Sequence, residues 1–238
     1  MIRLGMLTPS SNTVLEPVTS RMVDTMAGVT AHFSRFTVRE ITLGDRGLAQ
    51  FDPEPMLAAA DLLAHAKVDV ISWNGTSASW LGLESDHNLV SGIEHRTGIR
   101  ASTCVLSLMD ALAALGVRRY GLVTPYTSDV QEQIIRNFES HGLTCANERH
   151  FGISDNFAFG TIEPHKVNDA VRSVARDGAK AIIVLCTNLA GAGIAAEAER
   201  DTAIPVIDSV AVTVWGALRA ANHPTSGLAP WAPSLADL

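Results

Sequence analysis

The chain has 238 residues, 47% of them hydrophobic, and 18 basic against 25 acidic side chains give it a formal charge of −7. That length lies between one large domain and two small ones, enough to bury a core without disulfide or metal staples. The acidic balance speaks against a general nucleic-acid binder, and no stretch reaches the roughly 18 uncharged apolar residues of a membrane span.

In chain order, Ile2 to Leu7 reads as a first strand, short and apolar on both faces. Thr8-Pro9-Ser10-Ser11-Asn12-Thr13 follows as a turn holding several helix N-cap residues, before a helical stretch that begins near Val14. Val29 to Val38 reads as a second strand. Glu54 to Lys67 repeats apolar residues at Leu57, Ala60, Leu63 and Ala64, a helical period with prolines at its start. Val68 to Trp73 is strand-like and runs into Asn74-Gly75-Thr76-Ser77; Cys104 to Leu115 is a helix stopped by Gly116. In the second half Tyr120 to Val123 is a strand, followed by Thr124-Pro125-Tyr126 and a helix from about Asp129 to His141, closed by Gly142. Val167 to Arg176 is another helix. Ala181 to Leu185 is a continuous apolar run of the kind that belongs to a parallel strand covered on both faces. Beyond about Asp208 come a last helix and a Pro-rich tail. This alternation predicts an α/β protein with parallel sheets.

The two halves echo each other. Arg3-Leu4-Gly5-Met6-Leu7-Thr8-Pro9-Ser10 lines up with Arg119-Tyr120-Gly121-Leu122-Val123-Thr124-Pro125-Tyr126 at an offset of 116 (119 − 3). Lys67-Val68-Asp69-Val70-Ile71 lines up with Lys180-Ala181-Ile182-Ile183-Val184 at 113 (180 − 67). Two similar lobes follow, residues 1–103 completed by the helix in 208–238, and residues 104–207. Ligands of open α/β sheets bind beyond the carboxyl ends of the strands. Ser10, Asn12, Gly75, Thr76, Ser77, Tyr126, Cys186, Thr187 and Asn188 are therefore expected around one cleft.

Several motifs carry less than they promise. Gly191-Ala192-Gly193-Ile194-Ala195-Ala196 has the spacing of a dinucleotide fingerprint, but Cys186 to Ala190 separate it from its strand. Gly75-Thr76-Ser77-Ala78-Ser79 sits where a hydrolase nucleophile elbow would, yet has serine where the tight turn needs glycine. The eight histidines show no ligand spacing, so no metal is expected. Three cysteines, Cys104, Cys145 and Cys186, form no disulfide framework and point to a reducing compartment. No basic stretch followed by an apolar one precedes the first strand, so a cytoplasmic protein is expected. Cys186 stands out because it ends an apolar run and precedes polar residues at an expected helix start. There a helix dipole would favour its thiolate; a buried, inert thiol is the alternative.

Two echoing halves, Pro9-Ser10-Ser11-Asn12-Thr13, Thr124-Pro125-Tyr126 and Leu185-Cys186-Thr187-Asn188 resemble the aspartate/glutamate racemase superfamily, in particular its branch of maleate cis-trans isomerases and arylmalonate decarboxylases. The resemblance runs from Leu4 to about Trp215. It implies two flavodoxin-like lobes related by a pseudo-twofold axis, with the active site in the cleft between them. Racemases and maleate isomerases of this superfamily use two cysteines, one after a strand in each half. Here the second is Cys186, and the first would fall at Gly75, which offers no acid, base or nucleophile. Gly75-Thr76-Ser77 with one later cysteine is similar instead to the arylmalonate decarboxylase pattern. That resemblance implies a cofactor-independent decarboxylase in which Cys186 protonates an enediolate held by Thr76, Ser77, Tyr126 and backbone N–H groups near Cys186 and Thr187. Ser10 and Asn12 would bind a carboxylate, and a cysteine introduced at Gly75 would add racemising activity. An isomerase or racemase of the same superfamily is the alternative, and a non-catalytic small-ligand module a third. The expected ligand is a small carboxylate or dicarboxylate; monomer and homo-oligomer are both compatible with the resemblance.

Overall fold

The computed structural model describes residues 1–238, and the observed elements follow the expected α/β alternation. They are β1 (Ile2–Pro9), α1 (Leu15–Asp24), β2 (Val29–Phe36), α2 (Asp45–Ala49), α3 (Pro53–His65), β3 (Val70–Trp73), α4 (Ala78–Leu81), α5 (Leu83–Thr97) and β4 (Arg100–Thr103). The crossover helix α6 (Cys104–Ala114) leads to β5 (Arg119–Thr124), α7 (Ser128–Ser140), β6 (Thr144–His150), α8 (Asn156–Phe159), α9 (Pro164–Val174) and β7 (Ala181–Val184). Then come α10 (Ala192–Thr202), β8 (Val206–Asp208), α11 (Ser209–Ala220) and α12 (Pro233–Ala236).

The strands form two four-stranded sheets, ordered β2-β1-β3-β4 and β6-β5-β7-β8, and every pairing is parallel. The two orders are the same once the second is read as a repeat of the first. The central strands read as apolar runs because helices cover both faces, and β3 and β7 are buried at every position. The edge strands β4 (Arg-Ala-Ser-Thr) and β6 (Thr-Cys-Ala-Asn-Glu-Arg-His) are polar and half-exposed, so hydrophobic pattern does not mark them. Helix α5 escapes the pattern too: Ser85, Asp86, His87 and Asn88 interrupt its apolar face, which is carried by Leu89 and Ile93.

The expected turn chemistry is present. Gly116 and Gly142 end their helices at φ +66° and +78°, a left-handed backbone that glycine reaches without a Cβ clash. Asp52 accepts from the Glu54 N–H ahead of Pro53 in α3. The echo of β3 in β7 is corrected by two residues. Val70 pairs with Leu4 and Ala181 with Tyr120, so with β5 repeating β1 at 116, β7 repeats β3 at an offset of 111 (181 − 70). A two-residue slip preserves the alternation of faces, so side-chain pattern cannot detect it.

Helix α11 packs on β3, β4, α6 and α1, and one continuous buried core runs through both sheets. No helix is long and apolar enough to cross a membrane.

Candidate active site

The chain leaves each sheet at matching places. In lobe 1 the N–H of Asn74 donates to the Leu7 carbonyl (3.2 Å), and in lobe 2 the N–H of Leu185 donates to the Val123 carbonyl (2.9 Å). One residue further on stand Gly75 and Cys186. The N–H groups of Gly75, Thr76, Ser77, Cys186 and Thr187 donate to no backbone carbonyl, so both loops keep donors in reserve.

A small cavity lies between the loops, with about 20 Å³ of free space, room for roughly one water-sized sphere. Its walls are Gly75, Thr76, Ser77, Tyr126, Cys186 and Thr187, joined by Pro9, Val38, Ile41, Phe51, Trp73, Trp80 and Asn156. No lysine, arginine or histidine is among them. Any anion held there is held by hydroxyls, N–H groups and indoles rather than by a cation.

The hydroxyls are arranged as a cluster. Thr76 Oγ1 and Tyr126 Oη are 2.7 Å apart across the lobe boundary, and Ser77 Oγ accepts from the Trp73 Nε1–H at 3.2 Å. Tyr126 is 1% exposed, with Trp80 and Phe159 edge-on against its ring, which fixes its direction. Burial lifts its phenol well above the ordinary range, so it stays a neutral donor.

Cys186 is 3% exposed. The expectation of a partly exposed thiol activated by a helix dipole is overturned, because α10 begins only at Ala192 and the thiol is buried. Loss of solvent pushes its pKa up to about 12, against smaller lowering bonds from Tyr126 and from the Asn188 N–H, which donates to Sγ at 3.4 Å. Such a thiol holds its proton at neutral pH and has one to give, rather than standing as a thiolate nucleophile. Of the other thiols, Cys104 lies in the core, and half-buried Cys145 donates to the Asn147 carbonyl.

Three of the expected binding residues, Asn12, Thr187 and Asn188, spend their side chains on tying the lobes together. Asn12 Nδ2 donates to Thr187 Oγ1 (3.1 Å), and that hydroxyl donates to the Asn74 carbonyl (3.2 Å). Asn12 Oδ1 also accepts from the N–H groups of Val14 and Leu15, both at 2.9 Å, and so starts α1. Asn188 Oδ1 accepts from the N–H groups of Thr13 and Val14, while its Nδ2 donates to the Asn156 carbonyl. Ser10 is exposed and its hydroxyl bonds only the Val38 backbone, positioning the segment that roofs the cavity. Ser10, Asn12 and Asn188 are absent from the cavity wall.

Sequence reasoning missed the roof. Val38, expected as the end of the second strand, lies beyond it because β2 stops at Phe36; Ile41 and Phe51 come from a stretch without regular period, and the segment is held to lobe 2 by the Glu40–Asp155 bridge and by the Ile41 N–H on the Ser154 carbonyl (2.8 Å). It also missed Asn156, whose Nδ2 donates to Ser11 Oγ at 2.7 Å. Of the aromatic residues near the loops, Trp73 and Trp80 line the cavity, Phe159 braces Tyr126, and Phe157 is 54% exposed.

The largest discrepancy is at Gly75. A Cβ there would lie 2.6 Å from Trp73 Cε2, and closer still to Cζ2 and Cη2. The benzo edge of the indole occupies the place of a side chain. Trp73 is 1% exposed, hydrogen-bonded to Ser77 and packed against Phe36 at 5.1 Å, so it has no free direction to swing.

The family described as arylmalonate decarboxylase matches residues 33–229, a span that holds Gly75, Thr76, Ser77, Tyr126 and Cys186. A maleate isomerase of Nocardia farcinica is 25% identical over 231 residues, covering 94% of this chain and 92% of that protein. An arylmalonate decarboxylase of Bordetella bronchiseptica is 29% identical over 186 residues, covering 74% and 78%. The fold is shared with a variant of the Nocardia farcinica maleate cis-trans isomerase carrying a covalently bound succinylcysteine intermediate: TM-score 0.90, 22% identity, 100% and 99% coverage.

Proposed function

The chain belongs to the arylmalonate decarboxylase family, and we propose on that premise that it is a cofactor-independent decarboxylase of small disubstituted malonates, with Cys186 as its one proton donor. It is an enzyme of a group whose named members include both maleate isomerases and arylmalonate decarboxylases. The observation that carries the choice between them is the pairing of a protonated thiol on one side of the cavity with glycine and an indole on the other.

The reaction follows from those groups. One carboxylate of the malonate leaves as carbon dioxide; the electron pair of the broken C–C bond passes into the remaining carboxylate and makes an enediolate. Charge thus grows on two oxygens. The hydroxyls of Thr76, Ser77 and Tyr126 and the free N–H groups of both loops are donors for those oxygens, and buried donors aimed at growing charge lower the barrier selectively. The Cys186 thiol then gives its proton to the carbon, and solvent returns a proton to the thiolate. One acid on one face yields one enantiomer. A malonate does not fit about 20 Å³, so the roof of Val38, Ile41 and Phe51 moves aside to admit it. Three free thiols suit a reducing compartment, in keeping with a cytoplasmic site of action.

The second reading, a maleate isomerase, has in its favour that the relative with that name aligns over more of the chain. It lacks a nucleophile at position 75. Turnover of 2-methyl-2-phenylmalonate and of maleate in deuterated water separates the two. The decarboxylase releases carbon dioxide and places deuterium on one face of 2-phenylpropionate. Fumarate from maleate, without carbon dioxide from any malonate, would overturn this reading.

A further inference from the structure

Trp73 and Val184 end corresponding strands, since Trp73 pairs with Leu7 and Val184 with Val123. In lobe 2 the end of the strand is small and the thiol of Cys186 stands two residues on. In lobe 1 the strand ends in the largest side chain available and glycine stands two residues on. The indole fills the space above that glycine, and its N–H is given to Ser77 at 3.2 Å. A hydroxyl that accepts one bond in a dry pocket has its own proton left to offer.

We propose that Trp73 determines the specificity of this cleft in two ways: its indole closes the face of the substrate opposite Cys186 to acids, bases and water, and its N–H turns Ser77 into a donor toward the substrate. The proposal rests on the decarboxylase reading for its chemistry but not for its geometry. Glycine at position 75 is then required by Trp73, and introducing cysteine there does not restore a second acid by itself. This departs from the expectation that cysteine at position 75, if tolerated, adds racemising activity.

The geometry is tested without any substrate by a double-mutant cycle on the full chain. Gly75→Ala lowers Tm by more than about 3 °C when Trp73 is present, and by less than about 1 °C in a Trp73→Phe or Trp73→Leu background. Equal losses in all backgrounds overturn the proposal, whatever the enzyme acts on; two replacements at Trp73 are used so that one poorly folding variant does not decide the matter. The chemistry is tested with 2-methyl-2-phenylmalonate and its product. Gly75→Cys alone leaves the product a single enantiomer, whereas Gly75→Cys with Trp73→Leu exchanges its α-hydrogen with solvent and racemises it. Racemisation by Gly75→Cys alone overturns the proposal. Trp73→Phe lowers kcat about 3- to 10-fold with little change in KM, and the drop vanishes in a Ser77→Ala background. An undiminished drop there overturns the role assigned to Ser77. If the wild-type chain releases no carbon dioxide from any malonate, the decarboxylase reading falls, and the stability cycle alone decides the place of Trp73.

Discussion

The two lobes share strand order, strand direction and the points at which the chain leaves the sheet, yet they contribute opposite chemistry to one cavity. At the offset of 111, Thr76 matches Thr187, Gly75 matches Cys186 and Trp73 matches Val184. At 116, exposed Ser10 matches buried Tyr126. Lobe 2 thus provides the thiol and the phenol, and lobe 1 provides two hydroxyls and an aromatic wall. A repeated backbone supplies two equivalent stations, and a few side chains decide that only one of them carries an acid.

The asymmetry can be attacked from either side. Removing the thiol has the largest expected effect: Cys186→Ala lowers kcat by about 10²- to 10⁴-fold, the usual contribution of a general acid, while calorimetry still detects binding of a malonate. Unchanged turnover would remove Cys186 from the mechanism.

Next come the two buried acids, Asp86 in α5 and Asp208 at the end of β8, each pushed by burial to about 7. A carboxyl with a raised folded pKa keeps a proton that the unfolded chain releases near pH 4. Its contribution therefore favours folding below about pH 4 and is lost as pH rises to about 7. Asp86→Asn should abolish part of the resulting fall in stability, on the order of a few kcal/mol across that window. Denaturant titrations at pH 4, 5.5 and 7 check this; a variant with the wild-type slope contradicts it. Asp208 is the less suitable target because its other oxygen caps α11 through Val210 and Ala211.

A smaller effect follows from untying the lobes. Asn12→Ala loses the start of α1 and the bond to Thr187, at a cost of about 1–2 kcal/mol, or roughly 2–8 °C in Tm for a chain of this size. The smallest is an absence of change. With the Cys186 thiol at about 12, turnover stays level from pH 7 to 10, where an ordinary thiol would already have lost its proton. A decline centred near pH 8.5 would show that the thiol is solvated during turnover.

Much of this was legible from residues alone. Central strands betray themselves as unbroken apolar runs such as Ala181 to Leu185, and Gly116 and Gly142 mark helix ends by their chemistry. Edge strands such as β4 and β6 do not, because one side of an edge meets solvent and its residues can be polar. Within the cavity, Gly75, Thr76, Ser77, Tyr126, Cys186 and Thr187 were recognisable from their places after strands. Asn12 and Asn188 were recognisable as loop residues, but which partners their amides would take was not.

Local order of residues determined the α/β alternation, the twofold repeat and the presence of one thiol where the repeat has two equivalent stations. These depend on period, turn chemistry and spacing, all of which act over a few neighbours along the chain. The tertiary structure decided that Cys186 is a buried, protonated thiol, that Thr187 and Asn12 join the lobes, and that an indole holds the space above Gly75. Those outcomes depend on distances between residues up to 175 positions apart and on the removal of water between them. Neither quantity is written in the order of residues along a single strand or helix.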